Sequence, residues 1–112
     1  GAKSLALIVD DPDSPSGNFT HWVMWNIPSY TREIAENTVP QGAAEGMTDF
    51  GKTGFGGPCP HSGTHRYYFK LYALDTAFDL PSSTRKKELE AAMRGHILGN
   101  AVLLGLYTRV RG

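Results

Sequence analysis

The sequence predicts a mainly β, antiparallel domain with one α-helix near its C-terminus. Three observations support this fold class. Short apolar runs rich in β-branched and aromatic residues recur along the chain, segments rich in Gly and Pro separate them, and a single window has helical periodicity. A chain of 112 residues is expected to form one domain, residues 1–112, with room for a core but not for a second domain.

Four segments are predicted to be β-strands. The first, Ser4–Asp10, is a continuous apolar run too short for a buried helix, which indicates a central strand. The other three are aromatic or β-branched runs: Thr20–Ile27, His65–Leu74 and Val102–Val110. The intervening residues 29–50 are weakly patterned and are expected to form a long surface connection with at most a turn of helix.

One helix is predicted after the third strand. Residues 81–84 (Pro-Ser-Ser-Thr) are typical of a helix start, and the helix is expected to end within residues 95–99. Leu89, Ala92, Met93 and His96 fall on one helical face, so His96 is expected to be a packed core histidine.

The composition argues against nucleic-acid binding, a membrane span and an intramolecular disulfide. Eleven basic residues balance eleven acidic ones, so a protein that binds nucleic acid by neutralising phosphates is disfavoured. No apolar run approaches the length of a membrane span. Cys59 is the single cysteine, which excludes an intramolecular disulfide and fits a cytoplasmic location. A periplasmic location stays open because the chain starts without Met.

Two rigid polar segments adjoin predicted strands: one follows the first strand, and the other precedes the third. The first, residues 11–15 (Asp-Pro-Asp-Ser-Pro), is closely followed by His21. The second, residues 56–60 (Gly-Gly-Pro-Cys-Pro), is shortly followed by His65. Loops that carry acids and imidazoles on a stiff scaffold commonly hold small polar ligands. A loop as long as residues 51–63 within a compact domain is also usually functional.

Each candidate residue has a structural and a functional interpretation. Asp11 and Asp13 are typical of a turn in which a carboxylate accepts backbone N–H groups, but two adjacent carboxylates can also hold a hydroxyl or a cation. His21 and His65 begin strands, where histidines are often structural, yet two beside such loops can donate to an anion. Tyr67 lies on the same strand face as His65 and adds a hydroxyl.

Two further predictions concern the neighbours of these residues. The N–H of Gly57 could take part in a small anion-binding nest, presented by the rigid Pro58 turn. Strand alternation directs Arg66 to the face opposite Tyr67, so Arg66 is expected to pair with a carboxylate, Asp11 or Asp13.

The segment from Gly46 to Thr53 also fits the phosphate-binding loop pattern of nucleotide hydrolases. That motif works only where a strand precedes it and a helix follows it, so that helix N–H groups meet the phosphates. The residues that follow, Gly54-Phe55-Gly56-Gly57-Pro58, cannot start a helix, and a nucleotide site is therefore rejected.

Taken together, these segments resemble the phosphatidylethanolamine-binding protein family, in particular its bacterial and archaeal, Raf-kinase-inhibitor-like branch. The two signatures are Asp-Pro-Asp-x-Pro at residues 11–15 and Gly-x-His-Arg at residues 63–66. Residues 5–10, 21–28, 57–60 and the tail segments 95–98 and 105–109 match as well, so that the resemblance covers essentially the whole chain.

The resemblance implies an antiparallel Greek-key β-sandwich with a small pocket for phosphate, phosphoryl head groups or similar oxyanions. The positions carried over as ligand-binding are Asp11, Asp13, His21, Gly57, Pro58, His65 and Tyr67, supported by Pro12, Pro15 and Arg66. Two departures stand out. The N-terminal strands of the family are not present before Lys3, and His61 replaces a second proline. Missing strands would leave a sheet edge or an apolar face open unless a second copy covers it.

The leading hypothesis is a non-enzymatic binding module for a small phosphorylated or anionic ligand. It is expected to need no cofactor, and to act on a protein partner as an inhibitor or to form homodimers. One alternative is a hydrolase in which Asp11, Asp13, His21 and His65 hold a divalent metal that cleaves a phosphoester. The other alternative is a protein-interaction module with a vestigial pocket.

Overall fold

The computed structural model describes residues 1–14, 17–31, 39–54 and 64–108, without the side chains of Thr64, His65 and residues 105–108. The elements are, in chain order, β1 (Ser4–Asp11), β2 (Phe19–Pro28), β3 (Ala44–Glu45), β4 (Thr64–Leu74), α1 (Lys86–Met93) and β5 (Ile97–Thr108). The mainly β architecture with one helix is confirmed, and all four predicted strands are present.

The strands form one antiparallel sheet in the order β3-β2-β1-β4-β5. Strands β3, β2, β1 and β4 thus have the spatial order of a Greek key, as the resemblance implied. The described residues contain this single sheet, and a second sheet of a sandwich is not among them.

Strand β1 lies at the centre of the sheet, and all eight of its residues are buried. Alternate side chains therefore enter two separate apolar clusters, as in strands covered on both faces. Ala6 and Ile8 face the helix and pack with Trp25, Leu89 and Met93. On the opposite face, Leu5, Leu7 and Val9 pack with Trp22, Met24 and Ile27. We call these the helix face and the opposite face of the sheet.

The helix is shorter than predicted at both ends. It begins at Lys86, because residues 81–84 form a turn in which the N–H of Thr84 donates to the carbonyl of Pro81 over 3.0 Å. It ends at Met93, and Gly95 follows with a left-handed φ of 85° that a glycine adopts without strain. Leu89 and Met93 form the buried stripe, as the periodicity predicted.

The prediction that His96 is a packed core residue was wrong. The helix ends three residues earlier, so His96 leaves the buried stripe and becomes half-exposed, with Nδ1 at 2.8 Å from Oδ1 of Asp75. The last strand also begins at Ile97 rather than Val102. Pairing with β4 starts there because the N–H of Asp75, just after β4, donates to the carbonyl of His96 over 3.0 Å.

The segment before the Gly/Pro-rich loop contains more structure than predicted. Ala44 and Glu45 form the short edge strand β3, and Met47 forms an isolated bridge with Thr53. Gly46 lies between them, where a Cβ atom would stand 2.7 Å from Cζ3 of Trp25 and would collide with the carbonyl oxygen of Thr84. This glycine is therefore required by close packing, not by a phosphate loop.

Strand β5 pairs with β4 and ends the sheet among the described strands. Its residues 97–108 include no charged residue and no proline. Five of its apolar side chains are 42–70% exposed, namely Ile97, Leu98, Val102, Leu103 and Leu104. In the part of the chain that the structure describes, the one helix is too short and too polar to cross a bilayer.

Candidate functional site

The candidate site lies where the end of β1 meets the beginnings of β2 and β4. Because β1 runs antiparallel to both neighbours, Asp11 pairs with Phe19 of β2, and Asp10 pairs with Tyr68 of β4. The last residues of β1 and the first residues of β2 and β4 therefore lie at the same end of the sheet. We call this the β1 end of the sheet.

The turn after β1 is built around the two predicted carboxylates. The carboxylate Oδ1 of Asp11 accepts the backbone N–H of Asp13 over 2.8 Å, the arrangement of an Asx turn. Pro12 lies between them and restricts the backbone, since its ring fixes φ. The turn-forming role proposed for these residues is thus present, while contact with a ligand stays a prediction.

Asp13 also anchors this turn to β4. Its two carboxylate oxygens each accept one side-chain N–H of Arg66, from Nε and Nη2, over 2.9 Å. Its Oδ2 further accepts the backbone N–H of Arg66 over 2.8 Å. The expected pairing of Arg66 with a carboxylate is confirmed, and Asp13 is the partner. The hydrogen bond to Asp13 raises the pKa of Arg66, so its positive charge persists at all relevant pH values.

A β-bulge determines the direction of His21. Val9 pairs with Trp22 and Asp10 pairs with Thr20, so His21 is an extra residue between two regular pairs. Strict alternation from Val23 would place His21 on the helix face of the sheet. Instead its ring contacts that of Tyr67, 5.1 Å away, on the opposite face. The bulge thus turns the imidazole toward the turn and β4.

Aromatic rings surround this imidazole. Besides Tyr67, the rings of Phe19 and Phe50 lie 5.2 Å from that of His21 in edge-on orientations. His21 is 5% exposed and Tyr67 is 1% exposed. Sequence reasoning missed Phe50, which belongs to no periodic pattern; the only available signal was an aromatic residue that directly follows Asp49 and precedes the Gly/Pro-rich loop.

A buried charge network lies on the helix face of the same sheet end. The carboxylate of Asp10 is 1% exposed, accepts Lys70 Nζ over 3.0 Å and Lys86 Nζ over 2.7 Å, and accepts the hydroxyl of Thr20 over 2.9 Å. Burial by itself raises the pKa of Asp10. The hydrogen bonds from the two lysines and the charge of Lys86 outweigh it and hold that pKa below its ordinary value.

Several predicted site positions lie outside the described residues. These are Pro15, Gly57, Pro58 and the side chain of His65. The backbone of His65 belongs to β4 and pairs with Tyr107 of β5, which places this residue at the β1 end of the sheet. Of the predicted ligand-binding positions, the structure places Asp11, Asp13, His21 and Tyr67 at the β1 end of the sheet. Contact of any of these positions with a ligand stays a prediction.

The metal-dependent alternative needs at least three converging ligands. Among the described side chains, which do not include that of His65, no three His, Cys, Asp or Glu residues form such a group. Asp11 and Asp13 are already engaged in the turn and in the pair with Arg66.

Comparison with known proteins gives a consistent result. The family model described as phosphatidylethanolamine-binding protein matches residues 1–108. A UPF0098 protein of Methanothermobacter thermautotrophicus is 52% identical over 96% of this chain and 75% of its own length. A UPF0098 protein of Pyrococcus horikoshii is 50% identical over 96% of this chain, which spans 58% of that relative.

Two solved structures share the fold. A phosphatidylethanolamine-binding protein homologue from Chlamydia trachomatis superposes with a TM-score of 0.91 and 38% identity, covering 97% of this chain and 74% of that one. Escherichia coli YbcL, described as a member of the mammalian family of these proteins, gives a TM-score of 0.84 at 31% identity. The match covers 98% of this chain and 74% of YbcL.

Proposed function

This chain belongs to the phosphatidylethanolamine-binding protein family, and from that premise we propose that it binds a small oxyanion, phosphate or a phosphoryl head group, without chemical turnover. One observation carries the proposal. Asp11, His21 and Tyr67 are polar side chains exposed by no more than 5%, all three lie at the β1 end of the sheet, and the rings of His21 and Tyr67 are 5.1 Å apart. Buried polar groups gathered in one place are typical of a ligand site.

The chemistry of these groups favours a protonated oxyanion. Imidazole and phenol groups can donate hydrogen bonds to phosphoryl oxygens. A carboxylate only accepts hydrogen bonds, so Asp11 would repel a fully ionised phosphate but can accept the O–H of a hydrogen phosphate or of a singly protonated monoester. The site thus offers donors and an acceptor to a ligand that has both kinds of oxygen.

The roles of the described carboxylates support binding without turnover. The carboxylates of Asp11 and Asp13 both help to hold the turn, since Oδ1 of Asp11 accepts the N–H of Asp13, and Asp13 binds Arg66. Ser14 lies between β1 and β2, so it is not on a strand–turn–helix elbow of the kind that activates a nucleophile. Binding rather than catalysis is therefore the proposed activity.

The direct test is a titration with inorganic phosphate, followed by NMR of the histidine side chains. We expect the resonances of His21 and His65 to shift in a saturable manner, because both are placed at the β1 end. His96 serves as an internal control, since it contacts Asp75 just beyond the other end of β4. If neither His21 nor His65 shifts at millimolar phosphate, the proposal is wrong.

A second assay separates binding from hydrolysis. The protein is incubated with p-nitrophenyl phosphate in the presence of Zn²⁺ or Mn²⁺, together with the His21→Ala variant. We expect no release of p-nitrophenol above the rate of the variant. Metal-dependent release that the variant lacks would replace the binding proposal with the hydrolase.

The proposal extends to regulation, on the strength of the family alone. A binding module of this type would act as an inhibitor of a protein partner, in the cytoplasm, and as a homodimer. Sedimentation velocity at micromolar concentration tests the dimer. Substituting His65 by Ala should abolish phosphate binding while leaving any contact through a distant surface unchanged.

A further inference from the structure

Phe50 is more exposed to solvent than the other aromatic rings that surround His21. It is 42% exposed, although its ring lies 4.7 Å from that of Phe19 and 5.2 Å from that of His21. Water-exposed aromatic surface is unfavourable in free energy. A solvent-facing ring directly against a buried imidazole is therefore a feature that needs a reason.

The loop beneath Phe50 holds this ring in place. The backbone N–H of Thr48 donates to the carbonyl of Lys52 over 3.0 Å, and the hydroxyl of Thr48 accepts the N–H of Phe50 over 3.2 Å. Thr48 is fully buried. Gly51 completes the tight turn with a φ of 78°, which favours glycine. Phe50 thus projects from a rigid turn and not from a loose loop.

Asp49 fixes the same turn to the beginning of β2. Its Oδ2 accepts the backbone N–H of Thr20 over 2.7 Å, and its own N–H donates to the carbonyl of Thr20 over 3.0 Å. Thr20 is the residue directly before His21, so these bonds set the position of Phe50 relative to the imidazole. The half-exposed ring is held next to the group that is proposed to bind the anion.

We infer that Phe50 selects the organic part of the ligand, so that the site takes phosphate monoesters with an apolar, planar substituent in preference to polar ones. This inference rests on the proposed binding of a phosphoryl group near His21. A phosphoryl group held by the imidazole would place its ester substituent in reach of the exposed part of the Phe50 ring. Burial of that ring against an aryl group adds a favourable contact that a glycerol group cannot make.

The experiment compares phenyl phosphate with glycerol 1-phosphate by calorimetric titration. Both are monoesters of the same charge and differ in the apolarity of the substituent. We expect the protein to bind phenyl phosphate about fivefold more tightly. In the Phe50→Ala variant this ratio should fall to about one, with the affinity for inorganic phosphate unchanged within about twofold.

Tyr30→Ala is the matched control, because Tyr30 is an exposed aromatic residue just beyond the other end of β2. It should retain the fivefold preference. Equal affinity for the two esters, or a ratio that survives Phe50→Ala, would overturn the inference while phosphate binding continues to support the proposed function. A protein that binds none of the three compounds would refute both.

Discussion

Asp13 and Arg66 lock the turn after β1 onto the first residues of β4 through a forked pair of side-chain hydrogen bonds, both 2.9 Å long. A third bond, 2.8 Å long, joins the same carboxylate to the backbone N–H of Arg66. Planar, two-point pairing of this kind fixes geometry as well as charge. The path of the turn that follows Asp11 therefore depends on an ion pair at the surface.

Replacing Arg66 by Ala should weaken phosphate binding several-fold while changing the melting temperature little. Exposed ion pairs contribute little to stability, but loss of this one releases the turn in which Asp11 accepts the N–H of Asp13. Arg66→Lys should recover only part of the affinity, because an ammonium group cannot form the fork. Calorimetric titration with phosphate measures both effects.

Arg94→Ala is the control for the loss of one exposed cation. Arg94 directly follows α1, two residues before His96, which contacts Asp75 just beyond the other end of β4. It should bind phosphate like the unmodified protein. Equal affinities of the Arg66 and Arg94 variants would show that the pair does not position the turn.

Replacing Asp10 by Asn should lower the free energy of unfolding by about 2 kcal/mol. The substitution removes the charge of the buried carboxylate that Lys70 and Lys86 both contact. The loss is smaller than the 3–5 kcal/mol typical of broken buried pairs, because both lysine side chains are 24–30% exposed and reach water. Urea denaturation measures this free energy.

Asp75→Asn is the control, because it alters a half-exposed carboxylate and should lower the free energy of unfolding far less. Similar losses for both variants would contradict the role assigned to burial.

The same network predicts how stability depends on pH. The folded state holds the pKa of Asp10 below its ordinary value, which is near 3.9 in an unfolded chain. The ionised carboxylate therefore contributes stability above about pH 4, and this contribution is lost as the pH falls through the folded-state pKa. The difference in unfolding free energy between the unmodified protein and Asp10→Asn should shrink between pH 5 and pH 2. A constant difference over that range would exclude the mechanism.

Gly46→Ala should be strongly destabilising although it adds only one methyl group. That methyl would stand 2.7 Å from the ring of Trp25 and against the carbonyl of Thr84, neither of which can move without disturbing the core. Overpacking of this kind costs about 2 kcal/mol, which corresponds to a fall of roughly 10 °C in melting temperature. Thermal unfolding followed by circular dichroism measures it.

Gly99→Ala provides the comparison, since a Cβ at Gly99 meets nothing within 4 Å. Its melting temperature should stay within about 2 °C of the unmodified protein. If both alanine variants melted together, close packing would not explain the glycine at position 46.

The sequence predicted the strands well because their signals are local. Ser4–Asp10 and His65–Leu74 needed only apolar runs and flanking turn residues, and the structure extends each by one residue. His96 shows where such signals fail. Its spacing from Met93 fits a helix, but the left-handed conformation of Gly95 prevents the helix from continuing to His96. The periodicity does not indicate whether the helix stops at Gly95 or at Gly99.

The candidate site was only partly predictable for a different reason. The pairing of Asp13 with Arg66 could be proposed from alternation, because Arg66 had to face away from Tyr67. The direction of His21 could not, since it depends on a bulge that appears only when β2 is aligned with β1. Phe50 likewise reaches the site through bonds between Asp49 and Thr20, residues far apart in the chain.

The composition of β5 has a consequence for handling the protein. A twelve-residue strand with no charge and no proline lacks the features by which natural sheet edges resist uncontrolled association. With Leu103 70% exposed, recovery of this chain should depend steeply on concentration and improve with low temperature, where the attraction between apolar surfaces weakens. Its colloidal behaviour is thus set by a strand that lies three places away from β2, the strand that carries His21.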